Sequence, residues 1–179
     1  MNKTIGIFGG GQLGRMMAQA ALPLNLQCTF FETTTDCPAA KLGPVFATQD
    51  PQGLQDFIAS ADVFSLEFEN TPVAYVDVLT QSKTLYPPRL ALATAQHRLA
   101  EKQLFDELKI PVAPYRAVDS VDSLKQAVTD LGLPIVLKTA TGGYDGKGQF
   151  VLRSVDQIGT AWAELGPAKS LIAESFVHF

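Results

Sequence analysis

Cysteine and histidine are scarce in this chain: Cys28 and Cys37 are the two cysteines, and His97 and His178 the two histidines, among 179 residues. So few and so dispersed, they form neither a disulfide framework nor a Cys/His metal spacing. The cysteines read as reduced thiols of a cytoplasmic protein and the histidines as surface or packing residues. No apolar run reaches the roughly 18 residues that a membrane span needs, and the first residues lead into a strand pattern instead of a signal-peptide layout. Positive charge is in deficit as well. The 14 Lys and Arg against 18 Asp and Glu leave a formal net charge of −4, which argues against a general nucleic-acid binder, whose phosphate contacts need a basic face. Repeats and low-complexity tracts are also missing. With 46% of residues hydrophobic and 18% charged, the chain has the makeup of a globular protein of one or two domains, and any anion must be bound locally.

One stretch carries that local chemistry. An apolar run ending in a lysine, Ile135-Val136-Leu137-Lys138, enters the loop Gly142-Gly143-Tyr144-Asp145-Gly146-Lys147-Gly148 and leaves through a second strand pattern around Phe150-Val151-Leu152. Four glycines in seven residues let backbone N–H groups approach an anion, and Lys138 and Lys147 supply countercharge. A lysine-tipped hairpin without a ligand would need neither a lysine held at a strand end nor the pair Tyr144-Asp145. The loop is not a Walker P-loop, because Gly-x-x-x-x-Gly-Lys-Ser/Thr is absent and a strand follows.

Strand and helix patterns alternate over the first ninety residues. Strands are expected at Thr4 to Phe8, Cys28 to Phe31, Val45 to Ala47, Val63 to Phe68 and Thr84 to Tyr86. Helical spacing runs from Met16 to Leu22, from Pro51 to Ala59 behind an Asp50 cap, and from Thr71-Pro72 through Leu79. Such alternation predicts an α/β fold, a parallel sheet with helices on both faces. Ala91 to Leu108 is one long helix or two. After Ile110-Pro111 the pattern changes to strand at Tyr115 to Val118, helix at Ser123 to Leu131, strand at Leu133 to Lys138, an antiparallel return through the glycine loop, helix at Ile158 to Leu165 and strand at Leu171 to Val177. A domain boundary falls between residues 90 and 110.

Gly9-x-Gly11-x-x-Gly14 follows the first strand and opens a helix, with Glu32 about 20 residues on. This satisfies the dinucleotide fingerprint and taken alone favours an NAD-dependent enzyme. The same glycines serve any phosphate docked on a helix N-terminus, and also a tight turn with no ligand. Glu67 and Glu69 flank Phe68 at the end of a strand pattern, so alternation puts both carboxylates on one face, with Glu67 a candidate to face a ligand. Arg98 and Lys102 lie one helical turn apart and can form a positive spot.

In their order, Gly11-Gln12-Leu13-Gly14-Arg15-Met16, Glu67-Phe68-Glu69-Asn70, Arg98-Leu99 to Lys102-Gln103-Leu104-Phe105, Lys138 and the 142–148 loop resemble the N5-carboxyaminoimidazole ribonucleotide synthetase family. These are ATP-grasp ligases of purine biosynthesis. The resemblance covers the whole chain. It implies a Rossmann-like pre-ATP-grasp domain over residues 1–95, followed by the first α+β part of an ATP-grasp domain over 96–179.

By this resemblance Gln12 and Leu13 would receive the ribonucleotide phosphate, and Glu67 would lie near the substrate's amine or ribose. Arg98, Lys138, the loop from Gly143 through Tyr144, Asp145, Gly146, Lys147 and Gly148 to Gln149, and the hinge Glu174-Ser175-Phe176-Val177 would hold ATP. The hinge would hydrogen-bond adenine, and Tyr144 and Asp145 would also face the aminoimidazole. The implied reaction converts bicarbonate and MgATP to carboxyphosphate, which delivers carbon dioxide to the amine of 5-aminoimidazole ribonucleotide. Lys138 and Lys147 would neutralise phosphate charge, and Asp145 would orient or deprotonate the amine. The family implies a cytoplasmic homodimer that binds small molecules and neither nucleic acid nor membrane. His97 stands where relatives usually have aspartate, and Ser175 where a second acid is common. Members run to about twice this length by the two-lobe plan, so the magnesium ligands are expected beyond residue 179 and the chain alone is expected to be inactive. The alternatives are a formate-dependent glycinamide ribonucleotide transformylase or another ATP-grasp ligase, an NAD-dependent oxidoreductase, and a non-catalytic nucleotide-binding module.

Overall fold

The computed structural model describes residues 3–143, 147–168 and 170–178, and the chain divides into two compact units, residues 1–93 and 94–179. Among the described residues no helix is long and apolar enough to cross a membrane.

The first unit is built on five strands, β1 (Thr4–Phe8), β2 (Gln27–Glu32), β3 (Val45–Ala47), β4 (Val63–Leu66) and β5 (Thr84–Tyr86), interleaved with α1 (Gln12–Ala21), α2 (Gly53–Ala59), α3 (Val73–Leu79) and α4 (Arg89–Ala95). The strands pair in parallel in the order β3-β2-β1-β4-β5. Strand parity assigns the two faces. Ile7 and Phe30 pack with Ala18 and Ala21 of α1, while Phe8, Phe31 and Phe64 pack with Phe57 of α2, Val76 and Leu79 of α3, and Leu92 of α4. The expected sheet with helices on both faces is therefore present. Phe57 is the hub of its layer, with ring centroids 5.1 Å from Phe8, 5.4 Å from Phe31 and 5.1 Å from Phe64. Full burial of such rings contributes about 2–3 kcal/mol each.

The order of these strands also locates a binding crevice. The chain grows from β1 through β2 to β3 on one side, then crosses back to β4 and β5 on the other. The carboxyl ends of β1 and β4 are thus the switch point where open α/β sheets bind ligands.

The second unit holds α5 (Arg98–Glu107), β6 (Tyr115–Val118), α6 (Val121–Leu131), β7 (Ile135–Thr139), β8 (Gln149–Leu152), α7 (Ile158–Leu165) and β9 (Leu171–Ser175). Its sheet is antiparallel throughout, in the order β6-β9-β7-β8. Leu124, Ala127 and Val128 of α6 and Ile158, Ala161 and Leu165 of α7 pack on Ile135, Leu137, Leu152, Leu171 and Ala173. These are alternate residues of the strands, so one sheet face is fully used by the two helices and the intervening residues, Lys138 and Glu174 among them, point to the other. Ser120 and Ser123 close a reciprocal cap on α6, with each side chain bonded to the other's backbone N–H at 3.1 and 2.9 Å.

Several boundaries differ from the sequence expectation. α1 begins at Gln12, a full turn before Met16, because Gly11 can serve as an extended N-cap. Pro51 lies in a turn before α2, where the Asp50 carboxylate accepts from Gln52 N–H at 2.9 Å. β4 stops at Leu66, so Glu67 and Glu69 are beyond the strand and do not share a face by alternation. β7 starts at Ile135 and β9 ends at Ser175. The segment from Ala91 to Leu108 is two helices, broken at Gln96 and His97.

Candidate functional site

In the first unit, register brings two carboxylates to the glycine turn. Phe8 pairs with Phe31 on one side and Leu66 on the other, so the residues that follow, Gly9, Glu32 and Glu67, lie side by side at the carboxyl edge of the sheet. The Gly10 N–H donates to Glu32 Oε2 at 2.9 Å and the Gly11 N–H to Glu67 Oε2 at 2.7 Å. Glu67 is packed so closely that a Cβ on Gly11 would lie 2.3 Å from its Oε1. The glycines of the turn therefore admit a carboxylate, at the positive end of α1, where an anion is favoured.

Glu32 accepts three hydrogen bonds. Besides Gly10 N–H, its other oxygen accepts from Thr33 N–H at 2.6 Å and from the Thr33 hydroxyl at 2.8 Å. Burial pushes its carboxyl up, but these three donors outweigh burial and hold it below the ordinary glutamate range. Gln12 and Leu13 are exposed in the first turn of α1, where backbone N–H groups have no intrahelical acceptor. Beside the turn a cavity of 280 Å³ opens between Phe31, Tyr75, Phe68 and Thr48.

In the second unit the site faces away from α6 and α7. Val136 pairs with Glu174 and Lys138 with Ile172, so Lys138 and Glu174 are diagonal neighbours on one sheet face. Lys138 Nζ contacts Glu174 Oε2, and Lys102 Nζ, from α5, lies 3.0 Å from Glu174 Oε1. Glu174 is buried, and burial pushes its carboxyl up; the hydrogen bonds and charges of Lys138 and Lys102 win and hold it below the ordinary range.

Arg98 does structural work at the loop entrance. Its guanidinium donates to the carbonyls of Thr139 at 2.8 Å, Gly142 at 2.6 Å and Gly143 at 2.9 Å, and its own N–H donates to Ala140 O at 2.8 Å. Gly143 has φ +71° and a Cβ there would sit 2.6 Å from the Lys147 carbonyl, so only glycine fits this fold of the loop. The far side is tied by Thr139 N–H to Gly148 O at 2.9 Å. Lys147 and Gln149 are exposed. Tyr144, Asp145 and Gly146, to which the sequence assigns amine and phosphate contacts, lie outside the described residues.

Of the hinge residues, Ser175 N–H donates to Pro114 O at 2.9 Å and Phe176 N–H to Pro134 O at 3.1 Å. Val177 is 52% exposed. The resemblance puts Glu174 in the hinge, and helical spacing pairs Lys102 with Arg98 as a positive spot. That the side chains of Lys102 and Glu174 meet is not visible in the sequence, because strand register and helix placement bring them together. Among the described residues no three His, Cys, Asp or Glu side chains gather as a metal site.

Comparison with known proteins gives a consistent picture. Residues 1–96 match the ribonucleotide synthetase preATP-grasp domain and residues 103–179 the ATP-grasp domain. The N5-carboxyaminoimidazole ribonucleotide synthase of Brucella melitensis is 42% identical over 181 aligned positions, covering 98% of this chain and 50% of the relative. The ADP complex of an N5-carboxyaminoimidazole ribonucleotide synthetase superposes with a TM-score of 0.91 at 38% identity, covering 99% of this chain and 48% of that one. The Aspergillus clavatus N5-carboxyaminoimidazole synthase bound to ADP and 5-aminoimidazole ribonucleotide gives a TM-score of 0.87 at 25% identity, covering 99% and 47%. The chain spans about half the length of the curated relatives it matches.

Proposed function

The chain belongs to the ribonucleotide synthetase preATP-grasp family, and from that premise we propose that it serves the ATP-dependent carboxylation of 5-aminoimidazole ribonucleotide by bicarbonate, a step of purine biosynthesis. The observation that carries this is the Lys138–Glu174–Lys102 cluster, drawn from β7, β9 and α5, with Lys138 on the strand that leads into the glycine-rich sequence 142–148. A lysine on a sheet face next to a loop of backbone N–H groups suits a polyphosphate, whose transfer needs positioning and charge neutralisation more than covalent help.

In this reading the ribonucleotide phosphate sits on the first-turn N–H groups of Gln12 and Leu13. Glu67, anchored by Gly11, faces the ribose or the amine. ATP lies along Lys138 and the loop residues Gly143, Lys147, Gly148 and Gln149, with its purine edge met at Val177, since the N–H groups of Ser175 and Phe176 are already used. Tyr144 and Asp145 are assigned to the aminoimidazole. Arg98 acts through the loop carbonyls that it holds. Magnesium would screen the phosphates once bound. Cys28 and Cys37, both free thiols, suit a cytoplasmic protein, and a homodimer is the assembly expected with this reading.

Separate calorimetric titrations with ATP, the ribonucleotide and NAD test the proposal. Binding of ATP and ribonucleotide without NAD is the expected result. Tight NAD binding with no response to ATP would overturn it in favour of an oxidoreductase.

A further inference from the structure

Of the three side chains in the cluster the nucleotide reading gives a task to Lys138 and none to Lys102. Lys102 is far from a solubility charge, because its side chain is 17% exposed and its partner Glu174 10% exposed. It occupies one carboxylate oxygen of Glu174 while Lys138 takes the other. α5 sets this up: Arg98 and Lys102 are four residues apart on one helix face, and with Arg98 fixed to the carbonyls of residues 139, 142 and 143, the next turn brings Lys102 to Glu174.

We propose that Lys102 is a positioning residue for nucleotide binding, which by sharing Glu174 keeps Lys138 available to an incoming phosphate. The inference rests on the nucleotide reading above. Two ammonium groups and one carboxylate give the cluster a single net positive charge. Without Lys102 the cluster is neutral, and both Glu174 oxygens compete with the phosphates for Lys138. At these separations and in partial burial, a carboxylate released from one partner is a strong competitor for the other. Glu174 thus acts as a tether whose strength Lys102 sets.

Charge arithmetic separates this role from a merely structural one. Replacing Lys102 by an uncharged residue makes the cluster neutral, and replacing Glu174 by Gln as well restores one net positive charge without restoring the ion pair. A structural role predicts that the second change adds damage; a positioning role predicts rescue.

The experiment titrates the folded 179-residue chain with ADP by calorimetry and repeats this for Lys102→Gln, Lys102→Arg and the double variant Lys102→Gln/Glu174→Gln. Gln keeps a hydrogen-bond donor toward Glu174 but no charge, so it limits the loss of folding, and circular dichroism confirms the folded state of each variant. The expected result is ADP binding weakened about tenfold or more in Lys102→Gln, retained within about threefold in Lys102→Arg, and recovered to within about threefold in the double variant. Should Lys102→Gln fail to fold, the double variant and Lys102→Arg still decide: loss of ADP binding in a folded double variant overturns the proposal. Wild-type affinity in Lys102→Gln, or a double variant no better than the single, overturns it too while leaving the nucleotide reading intact. A folded wild-type chain that does not bind ADP removes that reading, and the proposal with it.

Discussion

Lys138 and Glu174 are diagonal neighbours across the β7–β9 ladder, on the sheet face opposite α6 and α7, and their side chains are paired. The lysine is therefore held in place before any phosphate arrives. Lys138→Ala should weaken ATP binding about 10- to 100-fold, the loss expected for one charge-assisted hydrogen bond of about 1.5–3 kcal/mol. Calorimetry on the folded variant measures it. An unchanged dissociation constant would take Lys138 out of the site.

The same pair makes stability depend on pH. The Glu174 carboxyl is held below its ordinary value in the folded protein, so the unfolded chain takes up the proton first as pH falls. Its contribution is fully present above the ordinary glutamate value of about 4.3 and is lost as pH drops through the lower folded value. Urea midpoints measured from pH 7 down to pH 3 should fall less steeply in Glu174→Gln than in the wild-type chain. Parallel curves would show that other carboxylates carry the acid sensitivity.

Arg98 predicts a backbone effect. Three carbonyls, of Thr139, Gly142 and Gly143, accept from one guanidinium, a fork that a lysine ammonium cannot reproduce. Both Arg98→Lys and Arg98→Met should speed hydrogen exchange at the Thr139 N–H, which bonds Gly148 O, by roughly tenfold or more, as expected for the loss of about 1.5–3 kcal/mol of local support. Exchange at wild-type rates in Arg98→Lys would mean that charge alone suffices there.

At the first glycine turn, Gly11→Val should push Glu67 aside, because the new Cβ would fall 2.3 Å from Glu67 Oε1. Over-packing of this kind costs about 1–3 kcal/mol of stability. Ribonucleotide binding should weaken while ADP binding is kept, since ADP is assigned to the other unit. Equal loss of both ligands would argue against that division of labour.

Most elements were legible from local patterns, and the reasons are visible in single cases. β1, β3, β5, β6 and α7 fall where apolar runs and turn residues put them, because burial of one face imposes its own period on the chain. Ends were harder. β4 stops two residues short of the apolar run through Phe68, which is 44% exposed: hydrophobicity continues there after pairing with β1 and β5 has ended. The helix start at Gln12 was obscured because Gly11 caps it with no side chain.

Composition, spacing and the two glycine loops were enough to set the α/β class, the order of elements and the lysine beside the second loop, since these depend on residues close together in the chain. Which groups meet was decided by the tertiary structure alone. Glu67 reaches Gly11 across 56 positions because β4 pairs with β1 in the register Phe8 to Leu66. Glu174 reaches Lys138 across 36 positions because β9 lies between β6 and β7, and it reaches Lys102 because α5 brings that side chain to it. Strand order and register are settled by the packing of whole sheets against their helices, and a one-residue slip would reverse every side chain. No local pattern contains that information, and the contacts of Glu67 with Gly11 and of Glu174 with the two lysines are its direct product.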